Sequence, residues 1–420
     1  MSIRRLTTCV AQGCLATLMA ACSSAQTMTD ATFTHPKDSV AVPASRAIAL
    51  VGASVVSMRN DAVVDGQTIV VRDRRIVALG AEGSVAVPAD AFVVDARGSF
   101  VMPGLVDMHV HSAIRDAALY VPHGITTVRN LWGFPGLTTY ARRVLDEDLR
   151  APTIVTVSPG LDAHPATWPY TRFIDHELDA RDTVSTVLAE GWPALKIYDR
   201  LTRPAYDSIL AIARGRGVRV LGHVPFMVPI QHALASGQHE IEHLTGYEQA
   251  VGTRGEIAAH NWAAVDDRRF PALVSATVAA GTWNCPTLAI ISEIFRQRWP
   301  AERDLAVRNR RRFVKALHDA GARLLVGTDS GIDIVPAGSA IHTELEEFVA
   351  AGLTPYQVLR LATYSAAENL QALNDIGTVD VGRRADLLVL DANPLADITN
   401  VRRLRGVVLR GTWLPKRVLD

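Results

Sequence analysis

Cysteine is scarce in this chain: four in 420 residues, three of them (Cys9, Cys14 and Cys22) within the first twenty-two. Only Cys285 lies beyond them, so an exported form would have no internal disulfide and would depend on its core for stability. Charge of one sign is also missing, since 43 Lys and Arg balance 43 Asp and Glu. That balance gives no reason to expect a nucleic acid or an anionic surface as partner. No P-loop, no G-x-G-x-x-G and no G-x-S-x-G is present, which removes the common nucleotide cradles and the nucleophile elbow. Long hydrophobic runs are missing too. The longest near the start, Leu6 to Ala21, is too short to span a bilayer.

That run follows Arg4 and Arg5 and ends Leu18-Met-Ala-Ala-Cys22. A basic start, a short apolar run and small residues before a cut make a secretory leader, read here as residues 1–21. The end of the run resembles a bacterial lipobox, with Met19 where leucine is usual. The resemblance implies cleavage before Cys22, lipidation of its thiol and attachment to a membrane. Ser23 and Ser24 then favour the periplasmic side of the outer membrane, and plain secretion to the periplasm is the alternative. The polar stretch 22–46 reads as a tether.

Residues 47–102 show short β runs broken by turns, with hairpin connections at Asp65-Gly66 and Asp73-Arg74. The same texture returns over 376–420. Neither piece can bury much alone, so both ends are expected to form one small composite β domain. Between them, residues 103–375 alternate apolar runs with helical stretches such as 203–214, 229–236 and 307–320. Repeated strand–helix units imply a parallel sheet. Eight apolar runs in a span close to about 250 residues imply an α/β fold of the (β/α)8 barrel type, with functional groups at the C-terminal strand ends.

The first run ends in His109 and His111. Residues i and i+2 of a strand share a side, so both imidazoles project together, as metal ligands must. Taken alone, such a pair is weak evidence. Lys196, His223, His243 and Asp329 each close or follow a later apolar run. Singly they would be a snorkelling lysine, satisfied histidines and a capping aspartate. Together they put six suitable groups on five strand ends of one barrel. His239-Glu-Ile-Glu-His243 also fits the H-E-x-x-H pattern of zinc peptidases, but Gly237 and Gly246 would interrupt the helix that chemistry needs. Asp107 is read as a structural carboxylate.

With these residues the chain resembles the amidohydrolase superfamily, in the branch of imidazolonepropionase-like proteins and Xaa-Pro and Xaa-Lys/Arg dipeptidases. The motifs are Pro103-Gly-Leu-Val-Asp-Met-His-Val-His111, Leu195-Lys-Ile-Tyr198, Gly222-His223, Ile241-Glu-His243, Gly327-Thr-Asp-Ser330 and Gly382-Arg-Arg-Ala-Asp-Leu-Leu-Val-Leu390. The resemblance implies two divalent metal ions, zinc by expectation. His109, His111 and Asp329 would hold one, His223 and His243 the other, and a carbamate on Lys196 would bridge them with a hydroxide. Asp329 would move the proton from that hydroxide to the leaving nitrogen.

The implied function is hydrolysis of an amide bond in a small molecule, a dipeptide or N-acyl amino acid. A cyclic amidase or deaminase of the same superfamily is one alternative, and a non-catalytic ligand-binding lipoprotein is another. Candidate substrate contacts are Arg129 and Trp132 after strand two, His164 and Trp168 after strand three, and Tyr198 and Arg200 after strand four. Arg129 or Arg200 would pair with a substrate carboxylate, and Tyr198 would donate to the carbonyl oxygen. The chain departs from its relatives at Gly160-Leu-Asp-Ala-His-Pro165 and at Lys196-Ile-Tyr-Asp-Arg-Leu201. The sequence leaves a homo-oligomer open.

Overall fold

A computed structural model of the chain describes residues 42–253, 259–332 and 334–419. Cys22, the expected leader and the start of the expected tether lie outside the described residues. The centre is a ring of parallel strands: Leu105–Val110, Ile125–Asn130, Thr153–Thr156 continued by Gly160–Asp162, Ala194–Ile197, Arg219–Gly222, Glu240–Glu242 and Trp283–Cys285. The third strand is split at Ser158 and Pro159. Its first half pairs with strand two (Thr127 with Thr153) and its second half with strand four (Gly160 with Lys196). Proline has no N–H to continue a ladder, and Ser158 Oγ accepts from Lys196 N at 2.9 Å across the break.

The eighth position is not a regular strand. Residues 324–330 close the ring through Leu325 N to Asn284 O at 2.9 Å, Met108 N to Val326 O at 3.0 Å and His111 N to Ser330 O at 2.7 Å. Regularity is lost because the chain turns into the left-handed region at Asp329 (φ 58°) and Gly331 (φ 95°). The expected helices are present as Arg203–Gly215, Ile230–Ser236 and Arg303–Asp319. The last begins a turn earlier than its apolar pattern, because Arg303 and Asp304 carry no apolar signal. Among the described residues no helix is long and apolar enough to cross a membrane.

Both ends of the chain build one eight-stranded sheet. Phe100–Pro103 runs parallel to Ile48–Val56 on one side and antiparallel to Leu387–Leu390 on the other. Leu404–Leu409 and Thr412–Pro415 extend the sheet one way, and Val63–Arg72 and Arg75–Ala81 the other. Successive strand residues face opposite sides. Leu387 and Val389 pack with Ile48, Leu50, Ile69 and Trp413, whereas Leu388 and Leu390 join the barrel's core. Burial on both faces explains why Leu-Leu-Val-Leu carries no polar residue. Leu388→Ala, at the seam, is expected to lower unfolding free energy by about 2–5 kcal/mol, measured by urea denaturation.

Candidate metal centre

Strand one delivers His109 and His111 as its parity requires, with their Nε2 atoms 3.2 Å apart. Asp329 Oδ1 completes a triangle, 3.0 Å from His109 Nε2 and 2.9 Å from His111 Nε2. The other Asp329 oxygen, Oδ2, lies 3.9 Å from His243 Nε2. The rings run on from His109 to His243 at 4.7 Å and from His243 to His223 at 4.9 Å between centroids. Four of the six expected groups are thus tied together by short distances, and His223 extends the same row.

The backbone is bent to achieve this. His243 (φ 59°), Leu244 (φ 59°), Thr287 (φ 47°) and Asp329 (φ 58°) all occupy the left-handed region. Each such residue costs about 1–3 kcal/mol unless its surroundings hold it, and here the strain sits at the converging side chains and their support.

Three imidazoles have their second nitrogen engaged behind the site. His109 Nδ1 meets Glu242 Oε2 at 2.7 Å, and His223 Nδ1 meets Asp199 Oδ1 at 2.6 Å. His243 Nδ1 lies 2.6 Å from Thr287 Oγ1, whose hydroxyl donates to Pro286 O at 2.8 Å and so accepts from the imidazole. Each Nδ1 therefore carries a proton, so in its neutral form each imidazole presents an Nε2 lone pair to the site. Sequence reading missed Glu242, Asp199 and Thr287. One signal existed for Glu242: two glutamates at alternate positions of a buried strand must both be partnered.

Lys196 is fully buried in strand four, and its Nζ has no hydrogen-bond partner. Burial drives the Lys196 ammonium below its usual range, and the charges of Glu242 and Asp329 only partly oppose that. A buried amine without a partner, its charged form disfavoured by burial, is suited to carbamate formation. For Asp329, burial pushes the carboxyl up, but His109 and His243 overcome this and hold it well below the usual carboxylate range.

The donor set fits a divalent cation. Tetrahedral zinc with bonds of about 2.0–2.2 Å has donor–donor edges near 3.3 Å, and the triangle of His109, His111 and Asp329 is only slightly tighter. Gly327 lets the eighth segment pass beneath it. A Cβ there would lie 2.5 Å from Cys285 Sγ and 2.8 Å from His109 N and Cβ. Gly327→Ala is therefore expected to displace His109 and weaken metal binding by roughly ten-fold or more, read by chelator competition.

The remaining candidates separate by depth. Tyr198 is half-buried at the mouth, its ring 4.2 Å from His223, and its hydroxyl oxygen accepts from Trp168 Nε1 at 2.8 Å. Trp168 stacks toward His111 at 6.4 Å and Trp132 lies edge-on to Tyr198 at 5.2 Å. His164 sits out on the rim, exposed and bonded to Asp175 Oδ2 at 2.7 Å. Arg200 bonds Thr167 and lies 3.8 Å from Asp162. Arg129 does not reach the mouth. It is buried behind the histidines, and its donors are taken by Met108 O, Glu240 and Asn369. Asp107 accepts from Thr328 N at 3.0 Å and Thr328 Oγ1 at 2.7 Å, tying the eighth segment to strand one. Residues 240–242 form a strand, so the H-E-x-x-H helix does not exist.

The profile of the amidohydrolase family matches residues 100–414. Among curated proteins, adenine deaminase 2 of Rhizobium etli is 27% identical over 373 residues, which cover 81% of this chain and 53% of that protein. The chain spans about half the length of the curated relatives it matches. A Xaa-Pro dipeptidase crystallised with methionine in its active site shares the fold with a TM-score of 0.71 at 17% identity, over 88% of this chain and 100% of that one. Bottromycin amidohydrolase aligns with a TM-score of 0.70 at 25% identity, over 89% and 88%.

Proposed function

Because the chain belongs to the amidohydrolase family, we propose that it hydrolyses carbon–nitrogen bonds, in particular the amide bond of a dipeptide or N-acyl amino acid. The observation that carries this reading is Lys196: a buried amine without a partner, on the strand beside the one that leads to His223. His109, His111 and Asp329 would hold one divalent cation, His223 and His243 a second, and Lys196 as its carbamate would serve both. When bound, such cations supply Lewis acidity and a water activated near neutral pH.

The chain's own residues do the rest. Asp329 stays ionised, so it can take a proton at its carboxylate and return it to the leaving nitrogen. Tyr198 already accepts a hydrogen bond from Trp168, so its own O–H is free to donate to the amide carbonyl oxygen. Burial keeps that phenol protonated, since it raises the Tyr198 pKa well above its usual value. Trp132 and Trp168 flank His111 and would exclude water beside a bound amide.

The test is a screen of dipeptides and N-acyl amino acids with purified protein, before and after chelation and with Zn²⁺ restored. Turnover that chelation leaves intact would sink the proposal. Deamination is the second reading, favoured by the adenine deaminases among the curated relatives. Ammonia release from adenine, with no action on amides, would select it. A protein that purifies and reconstitutes without metal would instead fit a non-catalytic binding lipoprotein. Attachment through Cys22 belongs to the same proposal and is checked by mass spectrometry of the mature N-terminus.

A further inference from the structure

Behind the histidines lies a fully buried ionic cluster. Arg129 is 2% exposed, and Glu240 and Glu242 are fully covered. Arg129 Nε donates to Met108 O at 2.9 Å, on the residue just before His109. Its Nη1 donates to Glu240 Oε2 at 2.9 Å and to Asn369 Oδ1 at 3.2 Å, and its Nη2 bonds Glu240 Oε1. The same Nη2 stands 3.6 Å from Glu242 Oε1. Glu242 Oε1 has no hydrogen bond, while Glu242 Oε2 accepts from His109 Nδ1 at 2.7 Å.

A buried carboxylate with one bare oxygen needs a nearby cation to remain ionised. Arg129 is that cation, and it also fixes the peptide that carries His109. Glu240 and Glu242 share a strand face by parity, so one guanidinium serves both. Glu240 takes the fork contact and Glu242 faces the imidazole. A merely structural ion pair would need only Glu240. The turn of Glu242 toward His109 and the bond to Met108 O aim the cluster's hydrogen bonds at one ligand of the six, although its charges also face Lys196.

We propose that Arg129 is a positioning residue for the cation held by His109, His111 and Asp329, acting on His109 through Glu242 and through the Met108 carbonyl. This rests on the metal-site reading above. The effect is selective. Glu242 does not touch His223, and the Nδ1 atoms of His223 and His243 are fixed by Asp199 and Thr287.

The experiment counts metal ions and measures their affinities by chelator competition on the full chain. Wild type is expected to bind two zinc ions. Arg129→Met combined with Glu240→Gln removes both partners of the fork contact, so no new charge is stranded between them. That variant is expected to keep one ion at wild-type affinity and to bind the other about 10–100-fold more weakly, the scale for residues that orient a ligand. Glu242→Gln keeps an oxygen for His109 but removes the charge, and is expected to weaken the same single ion with a folded far-UV spectrum. Two ions at wild-type affinity in both variants would overturn the inference. So would equal weakening of both ions, the mark of a structural role only. A wild-type protein that takes up no zinc overturns the underlying metal reading, and this inference with it, before any variant is made.

Discussion

Lys196→Ala is expected to lower kcat/KM by at least about 10²–10³-fold, the scale on which removing one stabilising partner of a transition state counts. The site in this variant would have four imidazoles and Asp329 but no anion to join two cations. Metal analysis should show fewer than two ions per chain. Acetate or propionate, small enough to enter the vacated space, should restore part of the activity, because either returns the two missing oxygens. Undiminished turnover in Lys196→Ala would remove the bridged-metal mechanism altogether.

Stability should move the other way. Burial lowers the Lys196 pKa in the folded chain. The unfolded chain therefore binds more protons between that lowered value and the ordinary lysine value of about 10.4, and metal-free stability rises with pH across that window. Lys196→Met removes the uncompensated amine. The metal-free variant should melt no lower than metal-free wild type at neutral pH, as followed by calorimetry. Lost catalysis with retained or increased Tm separates a functional lysine from a structural one.

The second large effect is at Asp329. Asp329→Asn keeps an oxygen for the His109 and His111 pair but loses the proton acceptor. A fall in kcat of about 10²–10⁴-fold is expected, the usual contribution of a positioned acid–base group, with KM nearly unchanged. Steady-state kinetics on whichever amide the screen selects will show it. A change confined to KM would make Asp329 a binding group instead.

Much of this site was legible in the residues themselves. His109 and His111 declare a shared side by their i, i+2 spacing, His223, His243 and Asp329 each stand where an apolar run gives way to a turn, and Lys196 lies near the end of another run. The composite sheet was legible because apolar runs at both ends were too small to stand alone. The residues behind the histidines were not. Glu242, Asp199 and Thr287 meet their imidazoles across strands, and no local spacing encodes such pairs. Arg129 shows the limit most clearly. It stands one residue from the end of its strand as Lys196 does, yet its guanidinium is held under the site by Met108 O and Glu240, partners on other strands that no local spacing encodes. The eighth segment reads as a strand by composition, and its left-handed turn at Asp329 is visible only in the backbone.

The strand Phe100–Pro103 leads through Gly104 straight into Leu105–Val110, which ends beside His111, while its edge is held by Leu387–Leu390. During synthesis, all six converging groups have been made once residue 329 is added, yet the strand that anchors the first two has no neighbour on that edge until residue 390. A chain that stopped short of residue 387 would therefore carry all six groups while leaving this edge unpaired.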